Sequence, residues 1–279
     1  MNPGQHAGTT DEGLALALLK EGQELHNRRE SQSIEKAMAI FDELEGRFGR
    51  VSYRPLEKII HEAKIYKGHC LFSLNRHAEA INALDRVVDG QTIALEASFN
   101  TIIVQALLLK ISCLLELKLY ECALSVSDDL LKRLDSLTET EESHLEAETR
   151  GKGESLSAFR VEALRYKGTS LSGLDRKAEA VAVYDEVIDR FSGLSNEWDM
   201  VLCVQVSNSM FDEIVFLSIL NQRGKAMDVC EKLGQFCIAN EKRLWAGDWA
   251  HYKCYIMFQH LKEARKRLGL PGFGHHLAS

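Results

Sequence analysis

Histidine and cysteine are the side chains in this chain best suited to act as bases, nucleophiles or metal ligands, and their spacing supports none of those roles. His61 and His69 share a helical face but stand eight residues apart, about 12 Å at 1.5 Å per residue, too far for one metal ion without further ligands. His275 and His276 lie together in a glycine-rich tail, where ordered ligation is unexpected. The cysteines are seven, Cys70, Cys113, Cys122, Cys203, Cys230, Cys237 and Cys254, an odd number with no C-x-x-C pair. Set mostly in apolar helical contexts, they read as small buried hydrophobes of a reducing compartment. No phosphate-binding loop, dinucleotide fingerprint, nucleophile elbow or H-E-x-x-H occurs. These residues predict no catalytic centre, no metal site and no cofactor, so function is to be sought in a surface.

The elements that build such a surface are visible in a self-repeat. Ile65 to Asp89 recurs as Arg165 to Asp189, 100 residues on, with Tyr66, Gly68, Leu71, Leu74, Arg76, Ala78, Glu79, Ala80, Asp85, Val87 and Asp89 all matched. Fixed-period self-similarity marks a repeat architecture. Within the segment a first helix is predicted over about Leu56 to Leu74, and a second over about Ala78 to Val88, each with an apolar stripe at three- and four-residue spacing. Asn75-Arg76, matched by Asp175-Arg176, is the polar turn between them. Gly68 and Gly168 each cost a helix about 1 kcal/mol against alanine, which implies a partner helix crossing closely there. Three prolines in 279 residues, well under the average share of about 5%, fit long uninterrupted helices. The fold class expected is all-α.

This arrangement resembles the tetratricopeptide repeat (TPR). The family pairs a small and a large residue in its first helix with alanine, a large residue and a smaller one in its second. Gly68, Leu71, Ala80, Leu84 and Val87 fill those places, as do Gly168, Leu171, Ala180, Tyr184 and Val187. Anchoring on the alanine extends the pattern to Ala37 (followed by Phe41), Ala123 and Ala226. The spacings of 43, 43, 57 and 46 exceed the usual repeat of about 34 residues, and the family's late proline is missing; such long repeats are similar to those of some bacterial members. The resemblance implies an α-solenoid of about five helix-turn-helix repeats.

Domain expectations follow. Residues 1–13 are expected to be a flexible N-terminus and 14–240 the solenoid, with a polar, acidic insertion at about 136–157 read as an exposed loop that prolongs a helix near Leu145. Residues 241–268 carry Trp245, Trp249, Tyr252, Tyr255, Phe258 and Leu261 at helical spacing, as a cap over the last repeat or as a surface pairing two copies; 269–279 form a tail. Repeat stacks need such terminal caps.

Bulk properties bound the partner. A net charge of −7 disfavours nucleic acid, whose phosphates need a basic footprint. No run of about 18 uncharged apolar residues suggests a membrane span, the N-terminus lacks a signal-peptide pattern, and a cytoplasmic protein is expected. The resemblance implies that the first helices line a concave groove. Carried over, its lining includes Glu62, Ile65, His69 and Phe72; Leu108; Arg165 and Thr169; and Asn208 and Phe211. Phe72, Arg165 and Phe211 are the expected anchors. The apolar members would equally serve packing against the next repeat. The lysine and asparagine of the family's carboxylate clamp are replaced here by Ile65 and His69, then Arg165 and Thr169, which argues against a chaperone co-factor. The expected function is a non-catalytic adaptor or recognition subunit binding a partner peptide or helix. A ligand-responsive sensor is the second reading; an enzyme and an RNA binder are weaker ones.

Overall fold

The computed structural model describes residues 3–50, 53–89, 100–150, 155–193, 200–244, 259 and 261–270. The helices are α1 (Pro3–Asn27), α2 (Ser31–Phe48), α3 (Arg54–Ser73), α4 (His77–Val88) and α5 (Asn100–Glu116), then α6 (Tyr120–Asp135), α7 (Glu139–Arg150), α8 (Leu156–Gly173), α9 (Lys177–Phe191), α10 (Met200–Ile219) and α11 (Arg223–Leu244). No strand occurs among the described residues. The chain forms two compact units, one ending at Leu119 and the other beginning at Tyr120, so the boundary divides the expected third repeat between α5 and α6. Helix α1 begins at Pro3, so the segment expected as a flexible N-terminus is largely helical.

The second helix of every repeat is built on one stripe. Ala37, Phe41, Leu44 and Phe48 of α2 are buried; so are Ala123, Ser127, Leu130 and Leu134 of α6, and Ala226, Cys230, Leu233 and Cys237 of α11. Ala80, Leu84 and Val87 in α4 and Ala180, Tyr184 and Val187 in α9 follow the same register. All five anchoring alanines are 0% exposed. In the first unit α2 packs between α1 and α3, α4 packs between α3 and α5, and the first helices α1, α3 and α5 also touch in sequence. In the second unit α6 packs on α8, α9 lies between α8 and α10, α8 touches α10, and α11 covers α10.

Glycine marks the closest crossings. A Cβ on Gly168 would stand 2.6 Å from the Tyr184 ring, and one on Gly22 would stand 2.4 Å from the Phe41 ring. Gly22 is thus the first repeat's counterpart of Gly68 and Gly168. Counting back from Ala37 at the spacing of the other repeats lands on Leu25 instead, because the first turn is three residues longer.

Each turn is closed by one residue in the left-handed region: Arg29, Asn75, Lys118, Asp175 and Asn221, all with φ between 57° and 61°. At four of them the next amide reaches back five residues, from Arg76 to Leu71, Leu119 to Leu114, Arg176 to Leu171 and Gln222 to Leu217, at 2.8–2.9 Å. This is the Schellman closure of a helix C-terminus. Asn and Asp tolerate that backbone; Lys118 carries a steric penalty from its Cβ.

The acidic insertion is mostly helix rather than loop. Thr138 and Glu141 cap α7 reciprocally, the Thr138 amide donating to Glu141 Oε2 at 2.9 Å and the Glu141 amide to Thr138 Oγ1 at 3.3 Å, a capping box. Leu145 and Thr149 are fully buried. Arg160 of α8 secures the segment, donating to the Leu134 carbonyl at 2.8 Å and to Glu142 at 3.2 Å.

Residues 261–267 are helical, and Leu261, Ala264 and Leu268 join the core around α10 and α11. Arg223 Nη2 donates to the Leu268 carbonyl at 2.8 Å, and Gly269 at φ 65° ends the stretch. This part of the C-terminal segment covers the last repeat. Trp245, Trp249, Tyr252, Tyr255 and Phe258, and the tail from 271, lie outside the described residues.

Two stability predictions follow. Lys118→Gly relieves the left-handed strain and raises unfolding free energy by about 1 kcal/mol, read as a higher urea midpoint. Gly168→Ala improves helix propensity yet destabilises by about 1–3 kcal/mol through overpacking against Tyr184; a stabilised variant would refute the close crossing.

Candidate functional site

The residues expected to line a groove do not share one environment. Ile65 and Leu108 are 3% and 6% exposed. Ile65 belongs to the cluster holding Leu84, Val87, Ile102 and Ile103, so both are core residues with little surface to offer a partner. That corrects their assignment: the apolar positions of one first helix are consumed by the neighbouring helices. Phe72 is half-buried between two such clusters, with its ring 5.0 Å from that of His77 in an edge-on contact. Phe211 is half-buried too, with the Arg267 guanidinium 6.0 Å from its ring centre. Both aromatic anchors therefore already have intramolecular partners.

The remaining residues of the second unit converge on the face shared by α8 and α10. Arg165 of α8 reaches across to α10, donating from Nη1 to Gln205 Oε1 at 2.6 Å and from Nε to Asp212 Oδ2 at 3.4 Å. One turn along, Thr169 Oγ1 donates to the Arg165 carbonyl at 3.0 Å and lies 3.5 Å from the Tyr184 hydroxyl. The Tyr184 ring stacks on Phe216, 5.8 Å between centres and 8° between planes. Burial pushes the Asp212 carboxyl above its ordinary pKa, and Arg165 partly offsets that. Burial also raises the Tyr184 phenol, keeping it a neutral hydroxyl. Asn208 sits on α10 between Gln205 and Asp212, and its Oδ1 is buried without a hydrogen-bond partner. Glu162, the α8 counterpart of Glu62, accepts from the Tyr166 hydroxyl at 2.8 Å.

Gln205 and Asp212 were missed in the sequence, although a signal existed. Helix α10 is apolar enough over Val201–Ile219 to pass a length-and-hydropathy test for a membrane span. Here it is a core helix, with Leu202, Val206, Met210, Ile214 and Leu217 buried. An acid pair, Asp212-Glu213, in the middle of such a helix needs partners. The identity of those partners depends on which helices flank it.

The first helices of the first unit carry a different cluster. His26 of α1 lies 6.1 Å, ring centre to ring centre, from both Tyr66 and His69 of α3, and Tyr66 stacks on Phe41 at 6.0 Å. His26 Nδ1 is buried without a partner. Burial, with His26 nearby, lowers His69 to about 4, and burial lowers His26 and His61 as well. No group of three metal-ligating side chains occurs among the described residues. The Cys70 and Cys113 thiols are pushed up to about 12 by burial and stay protonated at neutral pH, which removes their nucleophilic form. Cys230 and Cys237 are buried as expected, whereas Cys122 is exposed.

The histidine cluster predicts acid sensitivity. A histidine lowered to about 4 when folded binds its proton more readily unfolded, where its pKa is about 6.5. Its stability contribution is full above pH 6.5 and is lost as pH falls towards 4, by up to about 3 kcal/mol. His69→Gln is expected to flatten the difference in urea midpoint between pH 7 and pH 4.5; an unchanged difference would place the acid sensitivity elsewhere.

No protein-family model and no curated protein matches this chain in sequence. Solved structures match its fold. The kinesin-light-chain TPR-like repeats of Podospora anserina superpose with a TM-score of 0.56 at 12% identity, covering 80% of this chain and 95% of that one. The apo form of RapI superposes with a TM-score of 0.55 at 13% identity, covering 90% of this chain and 84% of that one. With the buried alanine register and the recurring turns, these likenesses establish the architecture: the chain has a TPR-type, all-α repeat fold.

Proposed function

We propose that the chain is a non-catalytic recognition module that binds a peptide segment of a protein partner on the α8–α10 face. The observation that carries this reading is the orphaned Asn208 Oδ1 beside a row of side chains already held in place by Arg165. A buried acceptor without a donor costs about 1–3 kcal/mol, and a bound amide N–H would relieve that. An asparagine side chain offers one acceptor and two donors, the complement of a peptide bond. Gln205 and Asp212 are fixed before binding, so little further ordering is required of them. The adaptor or recognition-subunit role, and a cytoplasmic setting, are part of this reading.

A sensor is the second reading, favoured by one feature. Arg165 bridges α8 to α10, so a ligand competing for Asp212 or Gln205 would alter how those helices sit and couple occupancy to shape.

The test is a selection of random dodecapeptides on the immobilised full chain, followed by affinity measurement on wild type, Asn208→Leu and Gln205→Ala. Asn208→Leu swaps an unsatisfied polar side chain for an apolar one of similar size and should leave the melting temperature nearly unchanged. Peptides that bind this face are expected to lose about tenfold or more in affinity, equivalent to ~1.4 kcal/mol. Selected peptides that bind both variants as tightly as wild type, or a failure to select any, would sink the reading.

A further inference from the structure

Successive junctions between repeats in this protein reuse one pair of positions. The residue five past the buried alanine of a second helix faces a residue of the following first helix. That facing residue lies eight before the left-handed turn residue. Asp42 pairs there with Lys67, Asp85 with Lys110 at 2.5 Å, and Asp128 with Lys167 at 2.8 Å. At the α9–α10 junction the acid is retained as Asp185, but the facing position holds Glu213. A carboxyl stands where three other junctions have an ammonium. Glu213 is 1% exposed, and its Oε2 has no hydrogen-bond partner.

We propose that Glu213 is held protonated and donates to the Asp185 carboxylate, and that this proton holds α10 against α9, so its loss as the pH rises loosens the last repeat. The surroundings support a protonated carboxyl. Asp189 of α9 adds a second negative charge, and among the described residues Lys232 of α11 is the opposing cation. Arg165 of α8 is directed to the adjacent Asp212 instead. Burial, with Asp185 next, raises Glu213 to about 8. A second carboxylate beside it disfavours the ionised form of the buried Glu213. The sign is set by the raised acid. Between the ordinary glutamate value and about 8 the unfolded chain has released a proton that the folded chain keeps, so stability falls as pH rises across that window. Once the proton is gone, two like charges face each other across a junction that elsewhere is held by opposite ones.

The test is hydrogen exchange on the full chain from pH 6 to 9, corrected for intrinsic exchange, with wild type, Glu213→Gln and Glu213→Lys. In wild type, protection of α10 and α11 should fall at least tenfold between pH 6 and 8 and level off above that, while α2–α4 hold steady. Glu213→Gln supplies a permanent amide donor to Asp185 and should abolish that fall. Glu213→Lys restores the pairing of the other junctions and should raise the melting temperature at pH 9. If the lysine variant does not fold, Glu213→Gln alone decides. Flat wild-type protection through pH 9, or a glutamine variant that loses protection as wild type does, would overturn the proposal.

Discussion

A methyl group recurs where the second helix of each repeat approaches its neighbours, and the alanines at 37, 80, 123, 180 and 226 are sealed completely. Much of the packing depends on that close approach. It brings the residue four positions on against the adjoining first helix, where size must be balanced between partners. Where the second helix offers an aromatic ring, Phe41 or Tyr184, the first helix offers glycine at 22 or 168. The fifth repeat reverses the sizes, with Ile214 on α10 and Cys230 on α11 in one core cluster. In each of these pairs a large side chain faces a small one, as dense packing requires.

The same register distributes charge. A position pointing to the junction between repeats is free to carry an ion pair, and Asp42, Asp85 and Asp128 each meet a lysine there. Such half-exposed pairs contribute about 0–1 kcal/mol each, so they specify alignment more than they stabilise. Helix α10 departs from this order on two sides at once. Its Asp212 turns to Arg165 on the α8 side, and its Glu213 turns to Asp185 on the α9 side. The most apolar helix of the second unit thus bears one buried acid, Glu213, and one partly buried acid, Asp212.

Burial moves the reactive side chains towards their neutral forms, with thiols raised and histidines lowered. A packed interior does this to groups that serve as volume. Two of the buried polar atoms left without partners, Asn208 Oδ1 and His26 Nδ1, lie on the first-helix layers of their respective units. Those are also the layers on which the resemblance to TPR proteins led a binding groove to be expected.

The sequence by itself determined the repeat, its helix pairs and its anchors. Alanine, a large residue and a smaller apolar residue recur at fixed intervals on one helical face, and local periodicity is enough to read them. It was also enough to read the 75–76 and 175–176 turns, where Asn and Asp favour the left-handed backbone. Tertiary structure alone decided which apolar positions are spent inside. Ile65 and Leu108 have the spacing of groove residues, but the crossing of adjacent helices buries them. It decided that the insertion after Ser136 folds as a capped helix pinned by Arg160, since Leu145 has a stable place only when a neighbouring helix covers it. It also chose the partners of Arg165, Asp212 and Glu213. Periodicity along one helix says which face a charge occupies, while its partner comes from a helix tens of residues away, brought there only by packing.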